Sequence, residues 1–103
     1  MNRIKAALQT TGYDFAHAAW RKAPPGDYGT YMESEGADLE ADGKHVERGT
    51  VGYIDYFTRD DSGRPRDTIE AALDGVCIYI LASVQFEDET GYIHYEWRFA
   101  LYG

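Results

Sequence analysis

The stretch Tyr92 to Tyr102, YIHYEWRFALY, alternates strictly in polarity. Ile93, Tyr95, Trp97, Phe99 and Leu101 share one parity, and His94, Glu96, Arg98 and Ala100 the other. Successive strand residues point to opposite faces of a sheet, so this pattern requires a strand with one buried and one wetter face. A helix would scatter the same five large side chains around its circumference. The chain must therefore build a sheet and then cover one side of it.

The rest of the sequence supplies a sheet of that kind and something to cover it. Residues Lys44 to Thr58 read as the longest strand, with Val51, Tyr53 and Phe57 on one side and Ile54 and Tyr56 on the other. Val76 to Phe86, VCIYILASVQF, is rich in β-branched and aromatic residues and reads as a further strand, with Tyr79 and Leu81 opposite Ile78, Ile80 and Val84. The intervening EDETG marks a hairpin turn into the last strand. Upstream, Tyr13 to Trp20 and Asp27 to Glu35 read as strands separated by the breaker run RKAPPG.

Two segments follow helical logic. In residues 2 to 10, Ile4, Ala7 and Leu8 fall at i, i+3, i+4, with Gly12 as a stop. In RDDSGRPRDTIEAALDG, residues 59 to 75, Pro65 suits a first turn and Asp67 and Glu70 have capping-box spacing. Ile69, Ala72 and Leu73 form an apolar stripe there, and Gly75 suits the C-terminal cap. The expected order is α-β-β-β-α-β-β over residues 1–103. It describes one α+β domain, a mostly antiparallel sheet of four to five strands with two short helices packed on one face.

That architecture leaves surface over. Five strands at about 4.8 Å each span about 24 Å, and two helices of about 10 Å diameter shield one face only. Large residues on both sides of the central strands then leave an apolar surface that a soluble monomer rarely exposes. A partner, most economically a second copy, is the expected cover. Tyr53, Tyr56, Tyr79 and Leu81 are the candidate anchors of such an interface.

Charge and motif content narrow the function classes. The net charge of −8 argues against an electrostatic nucleic-acid binder, since phosphate affinity comes mainly from Lys and Arg. Glu33, Glu35, Asp38, Glu40 and Asp42 fall within ten residues that contain no base. One cysteine, Cys77, forbids an internal disulfide and reads as a structural thiol. No apolar run reaches the ~20 residues of a membrane span. His17, His45 and His94 have no metal-pair spacing, and neither a phosphate loop nor a nucleophile motif is present. No enzyme, metal or cofactor is expected.

Four stretches resemble a known family. KAPPGDYGTYMESE is similar to its proline-containing loop leading into a Tyr-rich strand, and LEADGKHVERGTVGYIDYFTRDD to its turn followed by a long strand with a charged tail. TIEAALDGVCIYI is similar to its Ile-Glu-x-x-Leu helix entering the next strand, and YIHYEWRFALYG to its closing strand. In that order they resemble the short tail-completion proteins of bacteriophages with long non-contractile tails, also called tail terminator or head-tail joining proteins. The wide acidic connection and Gly49 and Gly52 depart from the family pattern.

The resemblance implies a structural protein of the virion tail, present in the host cytoplasm during assembly. Copies would form a ring, expected to be a hexamer, at the head-proximal end of the tail tube. The ring would contact the tail tube protein and a neck or head-completion protein. The acidic run Glu33 to Asp42 would then face the lumen or the tube end, where negative charge repels passing DNA. Two other classes stay open: an acidic DNA mimic, and a small ligand-binding oligomer with a pocket under Trp20 and Trp97.

Overall fold

The computed structural model describes residues 2–34 and 49–102. Their elements run α1 (Asn2–Gln9), β1 (Phe15–His17), β2 (Tyr28–Glu33), β3 (Gly49–Thr58), α2 (Arg64–Leu73), β4 (Ile78–Phe86) and β5 (Ile93–Tyr102). This is the α+β order the sequence implies. The strands form one sheet in the order β1-β2-β3-β5-β4, antiparallel throughout except for the short β1, which is parallel to β2.

The alternation in β5 decides which face is core. Tyr95, Trp97, Phe99 and Leu101 are buried. Their register partners Tyr56, Ile54, Gly52 and Thr50 on β3 place Ile54 and Tyr56 on the same side. Ile4 and Leu8 of α1 and Ile69 and Leu73 of α2 close over them as one cluster with Tyr31. All eight of the helix and β3–β5 side chains Ile4, Leu8, Ile54, Tyr56, Ile69, Leu73, Trp97 and Phe99 are at most 3% exposed. At roughly 1.5–3 kcal/mol for each fully buried large side chain, this cluster supplies the main drive for folding.

Two glycines are shaped by this packing. A Cβ on Gly52 would collide with the Met32 carbonyl oxygen and lie 2.8 Å from Phe99 Cζ. Gly52 therefore admits the Phe99 ring across the β3–β5 pair, where the sequence suggests only a loosened strand. Gly29 does the same for Phe15, whose ring occupies the space a side chain would need.

Several local expectations are corrected. The first strand is three residues long, because Ala18 turns the chain at φ 69 and its N–H bonds to the Tyr31 carbonyl at 2.8 Å. The second helix starts at Arg64, with Pro65 in its first turn as expected, but its N-cap is Gly63 rather than Asp67 and no side-chain cap bond forms. Asp67 is already inside that helix, its N–H donating to the Gly63 carbonyl at 3.0 Å. Glu70 is not a capping partner either. Its carboxylate accepts from Trp97 Nε1 at 3.0 Å and from Arg66 Nε at 3.2 Å.

A β-bulge between Leu81 and Ser83 alters β4. Before it, Tyr79 and Leu81 pair with Phe99 and Trp97 on the helix side, and Ile78 and Ile80 point the other way. After it, Val84 pairs with Tyr95 and Phe86 with Ile93, so Val84 shares a face with Tyr79 and Leu81 rather than with Ile78 and Ile80. The extra residue is the physical reason: it shifts the period-2 pattern by one.

Candidate functional site

The side of the sheet away from the helices is built from alternate residues of four strands. Tyr28, Thr30 and Met32 come from β2, Val51, Tyr53, Asp55 and Phe57 from β3, His94, Glu96, Arg98 and Ala100 from β5, and Ile78 and Ile80 from β4. No helix covers it. Its two ends differ in how they meet water.

At the end near the β4–β5 turn, the side chains cover one another. Tyr28, Phe57 and His94 occupy adjacent register positions and stack as a row, with ring centroids 4.9 Å and 4.2 Å apart. Tyr92 closes the row edge-on, donates its hydroxyl to the Gly26 carbonyl at 2.8 Å, and carries the Arg59 guanidinium 4.0 Å above its ring. His94 Nε2 lies 2.8 Å from Asp55 Oδ1, which places a partner beside a carboxylate that faces Glu96 directly across the β3–β5 pair.

At the opposite end the described residues do not cover one another in this way. Ile78 and Ile80 are 65% and 60% exposed. With Val51, Tyr53, Arg98 and Ala100 they border a groove of about 220 Å³. The exposed Arg98 guanidinium lies 5.5 Å from the Tyr53 ring centroid, within reach of a cation–π contact.

β4 is also an edge strand, and nothing among the described residues pairs with its outer side. It is nine residues long, IYILASVQF, and holds no charged residue and no proline. Edge strands are normally blunted by charge, proline or shortness. Here the bulge is the one such device, and Val84 and Phe86 beyond it are exposed along with Ile78 and Ile80. The other edge, β1, is only three residues.

The four side chains expected to anchor a partner are not one surface. Tyr56 is 1% exposed, stacked 5.2 Å from Tyr13 with the tilted Phe15 ring 5.4 Å away, and belongs to the core. Burial pushes its phenol pKa well above the usual range. Tyr79 and Leu81 face the helix layer. The Tyr79 hydroxyl donates to Asp74 Oδ1 at 2.5 Å and lies 3.3 Å from the Glu70 carbonyl. Only Tyr53 lies on the open face. The exposed members of β4 beside it are Ile78 and Ile80, which the sequence does not single out because both parities of that strand are apolar and only packing tells them apart.

Of the acidic run, Glu33 ends β2, and its Oε1 lies 2.6 Å from His17 Nε2. That hydrogen bond is the main reason its carboxyl titrates below the ordinary range. Glu35, Asp38, Glu40 and Asp42 lie outside the described residues, as do His45 and the expected strand onset at Lys44.

The two tryptophans have separate surroundings. Trp97 is fully enclosed, stacked 5.7 Å from Tyr95. Trp20 Nε1 donates to the Gly29 carbonyl at 2.8 Å. Burial pushes the half-buried Cys77 thiol up, away from the reactive thiolate. Among the described residues no three His, Cys, Asp or Glu side chains converge as a metal site would, and no helix is long and apolar enough to cross a membrane.

No protein-family model matches the chain, and no curated protein matches it at a significant level.

Proposed function

We propose that this chain is a structural, self-assembling protein that forms a ring at the head-proximal end of a phage tail tube, ends tube growth and joins the tail to the head. The observation that carries the assembly reading is β4: a long, uncharged edge strand that no described residue pairs with, exposing apolar side chains beside a sheet face that no described helix covers. Such an edge recruits a further strand or surface, because its free N–H and C=O groups and its apolar side chains are both better satisfied by protein than by water. The tail role rests on the four resembling stretches described above. In this reading the neighbours are other copies of the chain, six to a ring, then the tail tube protein and a neck or head-completion protein, and the protein ends up in the virion tail. The role involves no catalysis and no cofactor.

The test is direct. Purified chain is followed by sedimentation velocity from low to high micromolar concentration and imaged by negative-stain electron microscopy. Closed rings that dissociate on Ile80→Asp, with an unchanged thermal midpoint, support the reading. A single compact species at every concentration removes it.

A further inference from the structure

β4 leaves apolar surface on opposite faces at its two ends. At its start, Ile78 and Ile80 stand on the open face and, with Val51 and Tyr53 across β5, wall the groove described above. Ala100 pairs with Val51 on one side and Ile78 on the other, so the floor between those walls is a single methyl group. At the other end, beyond the bulge, Phe86 pairs with Ile93 and so points to the helix side, yet it is 65% exposed, with Val84 beside it at 52%. The ring and the groove match in size. An apolar cavity of about 150 Å³ takes a benzene molecule, and this groove, at about 220 Å³, has room for one phenyl ring.

We infer that copies of this chain join head to tail, the Phe86 ring of one copy seated in the groove over Ala100 of the next. This rests on the assembly reading above and specifies its contact. One copy cannot make the contact with itself, because ring and groove lie on opposite faces, six to eight residues apart along β4, roughly 20–26 Å. A β4–β4 pairing about a two-fold axis normal to the sheet cannot make it either, since that axis keeps helix side beside helix side. The contact is therefore heterologous: each copy gives its ring to one neighbour and its groove to another. Such contacts close into rings when the rotation between copies allows. β4 is then covered from the open side at its start and from the helix side at its end.

Charge fits the same alignment. Arg98 pairs with Ile80, so it marks the end of the groove further along β4, and no carboxylate among the described residues forms an ion pair with it. Glu87, Asp88 and Glu89 follow Phe86 directly. With the strands of two copies running the same way, these acids meet Arg98 before they reach Glu96, the next residue on that face of β5. Arg59, which reaches the same turn through the Thr90 carbonyl, is held over the Tyr92 ring, away from Phe86.

Two substitutions break the two halves separately. Phe86→Ser removes the ring, and Ala100→Phe fills the groove from its floor. Each alone is expected to raise the dissociation constant measured by sedimentation velocity by about tenfold or more. Mixed in equal amounts, the two chains keep one intact ring and one intact groove between them and are expected to form a one-to-one pair that grows no further. Should Ala100→Phe disturb the fold by circular dichroism, Ile80→Asp replaces it as the groove variant. Wild-type assembly that either variant leaves unchanged, or a mixture in which no one-to-one pair forms, overturns the head-to-tail contact and leaves self-assembly standing. A wild-type chain that never associates overturns both.

Discussion

The indole Nε1 of Trp97 donates to the Glu70 carboxylate at 3.0 Å, joining the enclosed centre of β5 to α2. Trp97 is 0% exposed, so its N–H depends on this acceptor rather than on solvent. Arg66 holds the same carboxylate oxygen from one turn away.

Removing the acceptor should therefore cost more than changing its charge. Glu70→Ala leaves a buried indole N–H without a partner and is expected to lower stability by about 1–3 kcal/mol. Glu70→Gln keeps an oxygen in place and should cost less than about half of that. Urea unfolding of the two variants checks the order; equal losses would mean the hydrogen bond is not what Glu70 contributes.

Gly52 accepts no side chain. Gly52→Ala places a methyl group against the Met32 carbonyl and the Phe99 ring and is expected to cost about 1–3 kcal/mol through strain. Gly52→Ala combined with Phe99→Leu should recover part of the loss. Denaturant midpoints across this double-mutant cycle measure the coupling, and strict additivity would refute the close approach.

Tyr53 and Tyr56 lie three residues apart on β3 and do different work. Tyr56→Ala opens a cavity under Tyr13 and Phe15 and should cost about 3–5 kcal/mol, the range for a large buried aromatic. Tyr53→Ala removes a half-exposed ring from the open face and should cost less than about 1 kcal/mol. Thermal melts separate them.

Alkaline pH should weaken the fold through two phenols. Donation to the Asp74 carboxylate, with burial second, raises the Tyr79 pKa to about 12, and burial raises that of Tyr56 as well. The folded state keeps these protons where the unfolded chain loses them near pH 10. Their contribution is thus complete below about pH 10 and, for Tyr79, is lost as pH rises towards about 12. Thermal midpoints between pH 8 and 12 should fall above 10, and less steeply in Tyr79→Phe.

The sheet was legible where burial is one-sided. β5 alternates because only one of its faces meets the helices, and the Ile69–Leu73 stripe of α2 fits that face. β4 was not legible to the same depth. Both of its parities are apolar, so nothing in the sequence says that Tyr79 and Leu81 turn inward and Ile78 and Ile80 outward, and a bulge leaves no spacing signal of its own. The shortness of β1 is set by the turn at Ala18, which side-chain pattern does not encode. The role of Glu70 depends on Trp97, 27 residues away, so its capping-box spacing with Asp67 pointed to the wrong partner.

The central claim, that the β4 edge is covered when copies associate, is tested most directly by amide hydrogen exchange along Ile78–Phe86. At dilute, monomeric concentration the β4 amides not bonded to β5 should exchange quickly. At concentrations where sedimentation shows assembly, those same amides should become protected while the amides of α1 and β3 change little. Rapid exchange of these β4 amides in the assembled state would contradict the account.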